Sequence, residues 1–258
     1  MTAMTEMIIA KIKNMNNPND PTKAEKPIPD YLLNNLILMT VTGDRAYGVA
    51  KRDSDWYVQG VVVLPIDYYF GLKTFEGFKT KIHNIHINIT DIHTFVKRCI
   101  DGDIHALEML FLRESDYLKK TKAGQMLIDN RKQFISKETV HKIDEYQNLV
   151  MSRMDLHKQH PPKIGYVTEQ FMHVVRLYDV LFEIIDYGEF NTYRSNNRFL
   201  RKIRDEDFYT RDDVIDYIND KQQIMKAKLK TTDLTESIDK NLINTLLINI
   251  NKVKPSMK

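Results

Sequence analysis

The sequence predicts an α+β fold in which a small mixed sheet comes first and a helical half follows. Segments of strand character lie before about residue 90, and the apolar spacing becomes helical after it. Nine glycines and eight prolines are few for 258 residues, which favours helices and compact connections over a loop-rich β architecture. An apolar content of 42% gives a chain of this length a substantial core.

Three strands are predicted in the first part of the chain. A short helix over 30–35 leads into residues 36–42 (LILMTVT), whose apolar and β-branched content predicts a buried strand that stops at Gly43. Residues 56–65 (WYVQGVVVLP) predict a second strand. Residues 83–89 (HNIHINI) alternate polar and apolar positions and predict a third, half-exposed strand.

Helical periodicity dominates the rest of the chain. Asp91 and Ser136 are suitable N-caps, and Gly188 is a suitable helix stop. The clearest internal break is 160–165 (HPPKIG). Helices are predicted over 91–98, 103–112, 121–134, 136–154, 167–187, 196–204, 211–229 and 237–252.

The chain is expected to have three parts. Residues 1–29 form an N-terminal arm or linker, with a short amphipathic helix over 4–14 and an Asn- and Pro-rich stretch after it. Residues 30–115 hold the mixed-sheet core. Residues 116–258 form an all-helical domain.

The composition excludes some classes of protein. A net charge of +3 neither requires nor excludes a nucleic-acid partner. A single cysteine, Cys99, excludes an internal disulfide and fits a reducing compartment. No apolar run approaches the roughly 20 residues that span a bilayer. The sequence therefore predicts a cytoplasmic protein without membrane contact.

Residues 43–60 (GDRAYGVAKRDSDWYVQG) carry the most informative pattern. A glycine at a strand end, followed by a polar loop, lets backbone N–H groups approach a triphosphate. Residues two apart on a strand share a face, so Asp55 and Tyr57 point the same way. Two carboxylates at these positions could hold Mg²⁺ against the phosphates and activate an attacking hydroxyl. The second position is a tyrosine.

This pattern resembles the nucleotidyltransferase superfamily of the DNA polymerase β type. More narrowly, it is similar to a predicted RNA-repair-associated branch from bacteria and phages. The matching residues are Gly43, Ala46-Tyr47-Gly48, Ser54-Asp55 and Gly60. Further segments match in order at 64–72, 101–111, 133–140, 165–177 and 200–208, so the similarity covers about residues 30–250.

The resemblance implies transfer of a nucleoside monophosphate from an NTP to an RNA, small-molecule or protein acceptor. Residues 30–115 would be the nucleotidyltransferase-like core, and Mg²⁺ would be the cofactor, with Asp55 as its ligand. Asp55 and Tyr57 take the catalytic positions. The nucleotide-binding positions fall on Gly43, Asp44, Arg45, Tyr47, Ser54, Glu169, His173 and Arg176.

Some of these residues have simpler interpretations. Arg45 and Tyr47 either contact phosphate or base, or pack the turn. Glu169, His173 and Arg176 are spaced by four and three residues, so they share one helix face. That face is either turned toward the nucleotide-binding cleft that the resemblance implies, or it forms an ion pair on the surface.

Departures from the family pattern fall on the chemical positions. Asp44 replaces a serine beside the phosphate, Tyr57 replaces the second acid and Glu169 replaces a lysine. Val167 replaces an aspartate, and Glu206-Asp207 stands in place of a late Gly-Glu. A third acid is expected on the strand at 83–89, which has none, so Asp91 is the nearest candidate.

Three functions fit this pattern. The preferred one is a nucleotidyltransferase-like protein with impaired or lost catalysis that keeps a nucleotide- or RNA-shaped cleft. An active, divergent enzyme would use Asp55 together with Asp53, Asp44 or Asp91. A non-catalytic binding or decoy protein, encoded by a phage, is the third.

Overall fold

The computed structural model describes residues 6–10, 26–156, 166–205 and 210–253. A five-stranded mixed sheet lies in the first half, and helices follow it, which confirms the predicted α+β class. The strands are β1 Leu36–Thr42, β2 Trp56–Val62, β3 Phe78–Ile82, β4 Ile85–Asp91 and β5 Tyr117–Lys120. Their order is β3-β4-β2-β1-β5, and β2 and β4 run parallel while the other neighbours are antiparallel.

The three predicted strands are present, and two further strands were missed. The predicted strand at 83–89 starts two residues late because His83 and Asn84 form the turn of the β3–β4 hairpin, with His83 at a φ of 50°. β3 alternates buried and more exposed positions, and its two lysines are among the latter. β5 is a short edge strand that ends in Lys119 and Lys120, residues that protect a sheet edge from further pairing.

Within the described residues, the predicted helices are present, most of them with changed bounds, and two one-turn helices at Asp44–Tyr47 and Asp67–Phe70 were missed. The helices are α1 Asp30–Asn35, α2 Asp44–Tyr47, α3 Asp67–Phe70, α4 Ile92–Ile100, α5 Ile104–Glu108, α6 Lys122–Asp129, α7 Lys137–Leu156, α8 Tyr166–Tyr187, α9 Asn197–Asp205, α10 Arg211–Leu229 and α11 Lys240–Lys252. Two 3₁₀ turns lie at Glu114–Asp116 and Arg131–Phe134.

The predicted helix ends have the expected contacts. Asp91 accepts hydrogen bonds from the backbone N–H groups of His93 and Thr94, at 2.9 and 3.1 Å. Ser136 Oγ accepts from the N–H of Thr139 at 3.2 Å, and Gly188 follows α8 with a φ of 65°. The helix predicted over 121–134 is divided at Asn130, whose side chain donates to the carbonyl of Met126 and so ends α6. The helix predicted over 103–112 ends at Glu108.

Several predictions fall wholly or partly outside the described residues. The break at 160–165 and the pair Glu206-Asp207 lie there, and so do most of the predicted helix over 4–14 and the side chain of Val167. Residues 6–10 are helical, and Ile8 is buried in one cluster with Ile28 and Leu32.

The larger of two core clusters joins the sheet to the helices. It runs from Ile37 in β1 through α8 to Ile250 in α11. α6 packs against β1 so closely that a Cβ on Gly124 would collide with the carbonyl oxygen of Ile37, and only glycine allows this approach. β5 lies beyond residue 115 yet pairs with β1. The division at 30–115 and 116–258 stays a prediction. Among the described helices, none has an apolar stretch that could cross a bilayer.

Candidate functional site

The loop between β1 and β2 builds one wall of the site. Gly43 follows β1 with φ 70° and ψ −153°, a conformation that residues with a Cβ rarely adopt. α2 is one turn long, and the carbonyl of Asp44 accepts from the N–H groups of Val49 and Ala50 at 2.9 and 3.1 Å. A Cβ on Gly43 would stand 3.5 Å from Cδ2 of Tyr57, so the loop lies directly beside the Tyr57 ring.

Asp55, Tyr57 and His86 form one cluster at the start of β2. The parallel register places Tyr57 opposite His86 of β4. His86 Nε2 lies 2.9 Å from Asp55 Oδ2, and the Tyr57 and His86 rings stack at 5.0 Å with an angle of 15°. His86 therefore takes the place on the neighbouring strand where a third acid would face the first two.

Asp91 is not that third acid, and this part of the sequence interpretation is wrong. The register pairs Trp56 with Ile85 and Val62 with Asp91, so Asp55 and Asp91 lie at opposite ends of the two strands. Six residue steps separate these ends, which is about 20 Å along a strand. The Asp91 carboxylate caps α4 instead.

The donor set at Asp55 is a weak one for Mg²⁺, because its single carboxylate already has a hydrogen-bond partner in His86. This ion takes carboxylate, phosphate and water oxygens, and it is typically bound by one or two carboxylates plus substrate phosphates. Here the cluster offers one carboxylate, which is hydrogen-bonded to an imidazole beside a phenol. Across the described ranges, no group of three or more His, Cys, Asp or Glu side chains could hold a metal ion. The assignment of Asp55 as a metal ligand stays a prediction.

Arg45 and Ser54 stabilise the loop. The Arg45 guanidinium lies 3.8 Å from the centre of the Trp56 ring, and its Nη2 donates to the carbonyl of Ser54. Ser54 Oγ accepts from the backbone N–H of Lys51 at 2.8 Å. Both residues therefore have local partners that support the packing interpretation, and their contact with a nucleotide stays a prediction.

A buried ion pair, centred on Glu108, joins the loop to the helical half. Glu108 and Arg176 are each 2% exposed, and Arg176 Nη1 donates to Glu108 Oε1. The Tyr47 hydroxyl donates to Glu108 Oε2 at 2.8 Å, and the Arg176 guanidinium lies 3.8 Å from the centre of the Tyr47 ring. Tyr47 and Arg176, both predicted to bind nucleotide, are thus brought together.

Sequence reasoning did not single out Glu108. Burial raises the pKa of this carboxyl, but the charge of Arg176, with the nearby His105 and the hydrogen bond from Tyr47, outweighs burial and lowers the pKa to about 2. The signal was present, because Glu108 is the one acid in an apolar run, ALEML, and a lone acid there indicates a paired, buried charge.

Glu169 and His173 differ in their surroundings. Glu169 is exposed and has no ion pair within the part of the chain that the structure describes, so the expected pair with Arg176 is replaced by Glu108–Arg176. The His173 ring meets the Tyr47 ring edge-on at 6.3 Å. Burial, with a further contribution from Arg176, lowers the pKa of His173 to about 3.

The low pKa of His173 predicts a loss of stability in mild acid. The unfolded chain binds a proton near the ordinary pKa of 6.5, whereas the folded chain does so near 3, so stability is complete above 6.5 and falls as the pH drops below it. His173 contributes at most about 1.4 kcal/mol per pH unit to the slope of the free energy of unfolding against pH. Urea unfolding of wild type and His173→Gln between pH 5 and 7 should show that the variant lacks this slope.

The control for this experiment is His141→Gln, because His141 is an exposed histidine. Titration of Glu108 does not change the free energy of unfolding above pH 5. Its pKa is lowered in the folded chain, so its contribution to stability is lost only as the pH falls below the ordinary value of 4.5. His105 has a raised pKa but is present in both proteins. A His173→Gln variant with the same pH slope as wild type would contradict a neutral, half-buried His173.

Comparison with models of known protein families gives a match for this chain. The model of RlaP, the RNA repair pathway DNA polymerase beta family, matches residues 4–190. This range contains the glycine loop, the whole sheet and all of α8, the helix that carries His173 and Arg176. No curated protein and no solved structure matches the chain.

Proposed function

This chain belongs to the RNA repair pathway DNA polymerase beta family, and we propose that it keeps a nucleotide- or RNA-shaped cleft while metal-dependent transfer is impaired or lost. The family is of the nucleotidyltransferase type, so the ligand of the cleft would be an NTP, with an RNA or a protein as a further partner. The observation that carries the proposal is the cluster in which Asp55 hydrogen-bonds His86 and Tyr57 stacks on His86.

The cluster bears on both binding and chemistry. Polymerase β-type nucleotidyltransferases generally use a divalent metal, and here a phenol and an imidazole stand where two of the acids would be. Removing one catalytic electrostatic partner typically costs about 10²–10³ in rate. Two such losses would leave little activity, although the effects of residues that act together do not add. Asp44 adds a negative charge in the turn predicted to face the phosphates.

Other features support a cleft that still accepts a nucleotide. Gly43 keeps the conformation that lets backbone groups approach a phosphate. The loop is held by its own hydrogen bonds and by Arg45 on Trp56, so it is ordered before a ligand arrives. Such pre-organisation favours binding because less conformational freedom is lost.

The proposal is tested by separating binding from transfer. Wild type and Asp55→Asn are incubated with each labelled NTP, Mg²⁺ or Mn²⁺ and an RNA pool, and the melting temperature is measured with each NTP. We expect no Asp55-dependent label transfer, but a melting temperature raised by several degrees at about 100-fold excess over Kd. Label transfer that disappears in Asp55→Asn would show an active enzyme instead.

A third result is possible in the same experiment. If neither transfer nor NTP binding is seen, and a protein partner is recovered stably in a pull-down, the fold serves as a binding or decoy surface. That result would contradict the proposed nucleotide cleft.

A further inference from the structure

A cavity lies behind the glycine loop, between α2, α5, α7 and α8. It has a volume of about 150 Å³. Its lining includes Tyr47, Tyr146, Gln147, His173 and Val174. Tyr47 also belongs to the short helix that follows Gly43, so the cavity adjoins the loop predicted to hold phosphate.

Gln147 is the unusual residue of this cavity. Its side chain is 1% exposed, and neither the carboxamide oxygen nor the nitrogen has a hydrogen-bond partner among the described residues. Buried polar groups are almost always hydrogen-bonded, because leaving one without a partner is costly. An amide that lines a cavity with both its donor and its acceptor unused indicates a ligand that supplies both.

The cavity walls specify the shape and charge of that ligand. The exposed surface of the lining is mainly apolar, with Val174 and Leu177 on one helix and the Tyr146 ring on another. His173 contributes a neutral ring, since burial holds its pKa far below neutrality. The buried charges nearby neutralise each other, because Arg176 is paired with Glu108. An apolar cavity of about 150 Å³ accepts one benzene-sized ring.

We infer that this cavity binds the base of the nucleotide, with Gln147 pairing with a donor and an acceptor on the edge of the base. A carboxamide offers one acceptor and two donors, and it forms paired hydrogen bonds with nucleobase edges. Rings and apolar side chains are the usual partners of a base face. The inference rests on the proposed nucleotide cleft, since the phosphates of the same ligand would lie toward Gly43.

Gln147→Leu in the full chain tests this inference. The ligands are the four NTPs, the four nucleosides and inorganic tripolyphosphate, each titrated by calorimetry. We expect the best-bound NTP and its nucleoside to bind about tenfold more weakly to the variant, which corresponds to about 1.4 kcal/mol. The differences in Kd among the four bases should narrow, and the Kd of tripolyphosphate should not change.

Two measurements show that the effect belongs to the cavity. The melting temperature of Gln147→Leu should equal or exceed that of wild type, because leucine removes a buried amide without a partner. Gln133→Leu is the matched control, since the Gln133 carboxamide oxygen is also buried and unpaired but lies outside this cavity. This variant should bind every ligand like wild type.

Each outcome decides between the two proposals. If NTPs bind wild type and Gln147→Leu equally, the cavity holds water only and the inference is wrong. The proposed nucleotide cleft is then still supported, because NTPs bind. If nucleosides bind in a Gln147-dependent way but tripolyphosphate does not bind, the base cavity stands and the proposed phosphate cleft fails. If none of the ligands binds to wild type, both are wrong.

Discussion

Replacing Glu108 with glutamine is expected to destabilise the protein by about 3–5 kcal/mol. The substitution leaves the Arg176 guanidinium, 2% exposed, without the carboxylate that compensates its charge. It also weakens the hydrogen bond from the Tyr47 hydroxyl, through which the glycine loop is tied to the helical half. The free energy of unfolding in urea at pH 7 measures the loss directly.

Two controls show whether the loss of stability comes from the buried Glu108–Arg176 pair. Glu114→Gln removes a carboxylate whose side chain is 79% exposed and which is paired with Lys120, so it should change stability by less than about 1 kcal/mol. The double variant Glu108→Leu with Arg176→Met removes both charges. Its loss of stability should be much smaller than the sum of the losses in the single variants Glu108→Leu and Arg176→Met. Additive losses would contradict a direct coupling between Glu108 and Arg176.

Restoring acids to the Asp55 cluster is expected to produce metal-dependent transfer that wild type lacks. The variant combines Tyr57→Asp and His86→Asp with Asp44→Ser and Glu169→Lys, so that three carboxylates face one another across β2 and β4. Each restored electrostatic partner can contribute about 10²–10³ in rate. The measurement is label transfer from NTP with Mg²⁺ or Mn²⁺, compared with wild type.

The restored variant also has a readout that does not depend on activity. Carboxylates placed together repel one another, so Mg²⁺ should raise the melting temperature of this variant much more than that of wild type. Adding Asp55→Asn to the variant should abolish both transfer and metal stabilisation. Transfer by unmodified protein, or a restored variant that binds metal and NTP yet stays inert, would contradict our account of Tyr57 and His86.

The sequence was sufficient for the elements with strong local signals. β1 and β2 are apolar and β-branched, and the caps Asp91 and Ser136 act through their own side chains, so these features follow from residues close in the chain. β3 and β5 carry paired lysines that obscure their strand character, and only the pairing with β4 and β1 reveals them.

Predicting the site required the strand directions and the long-range contacts, which no local sequence pattern contains. Whether His86 or Asp91 faces Asp55 is decided by the direction of β4, and that direction is set by β3, one of the two strands that were missed. With β3 in a hairpin, β4 runs parallel to β2 and places His86 beside Tyr57. The Glu108–Arg176 pair joins residues 68 positions apart, so its existence required the tertiary structure.

The interior position of β1, between β2 and β5, has a consequence for synthesis on the ribosome. β1 pairs on one side with β2, which follows soon after it, and on the other with β5, which ends at Lys120. At a translation rate of 5–20 residues per second, about 4–17 s pass between the synthesis of β1 and the synthesis of β5. During that interval the nascent chain exposes an apolar strand edge, so a chaperone that shields such edges should raise the yield of folded protein.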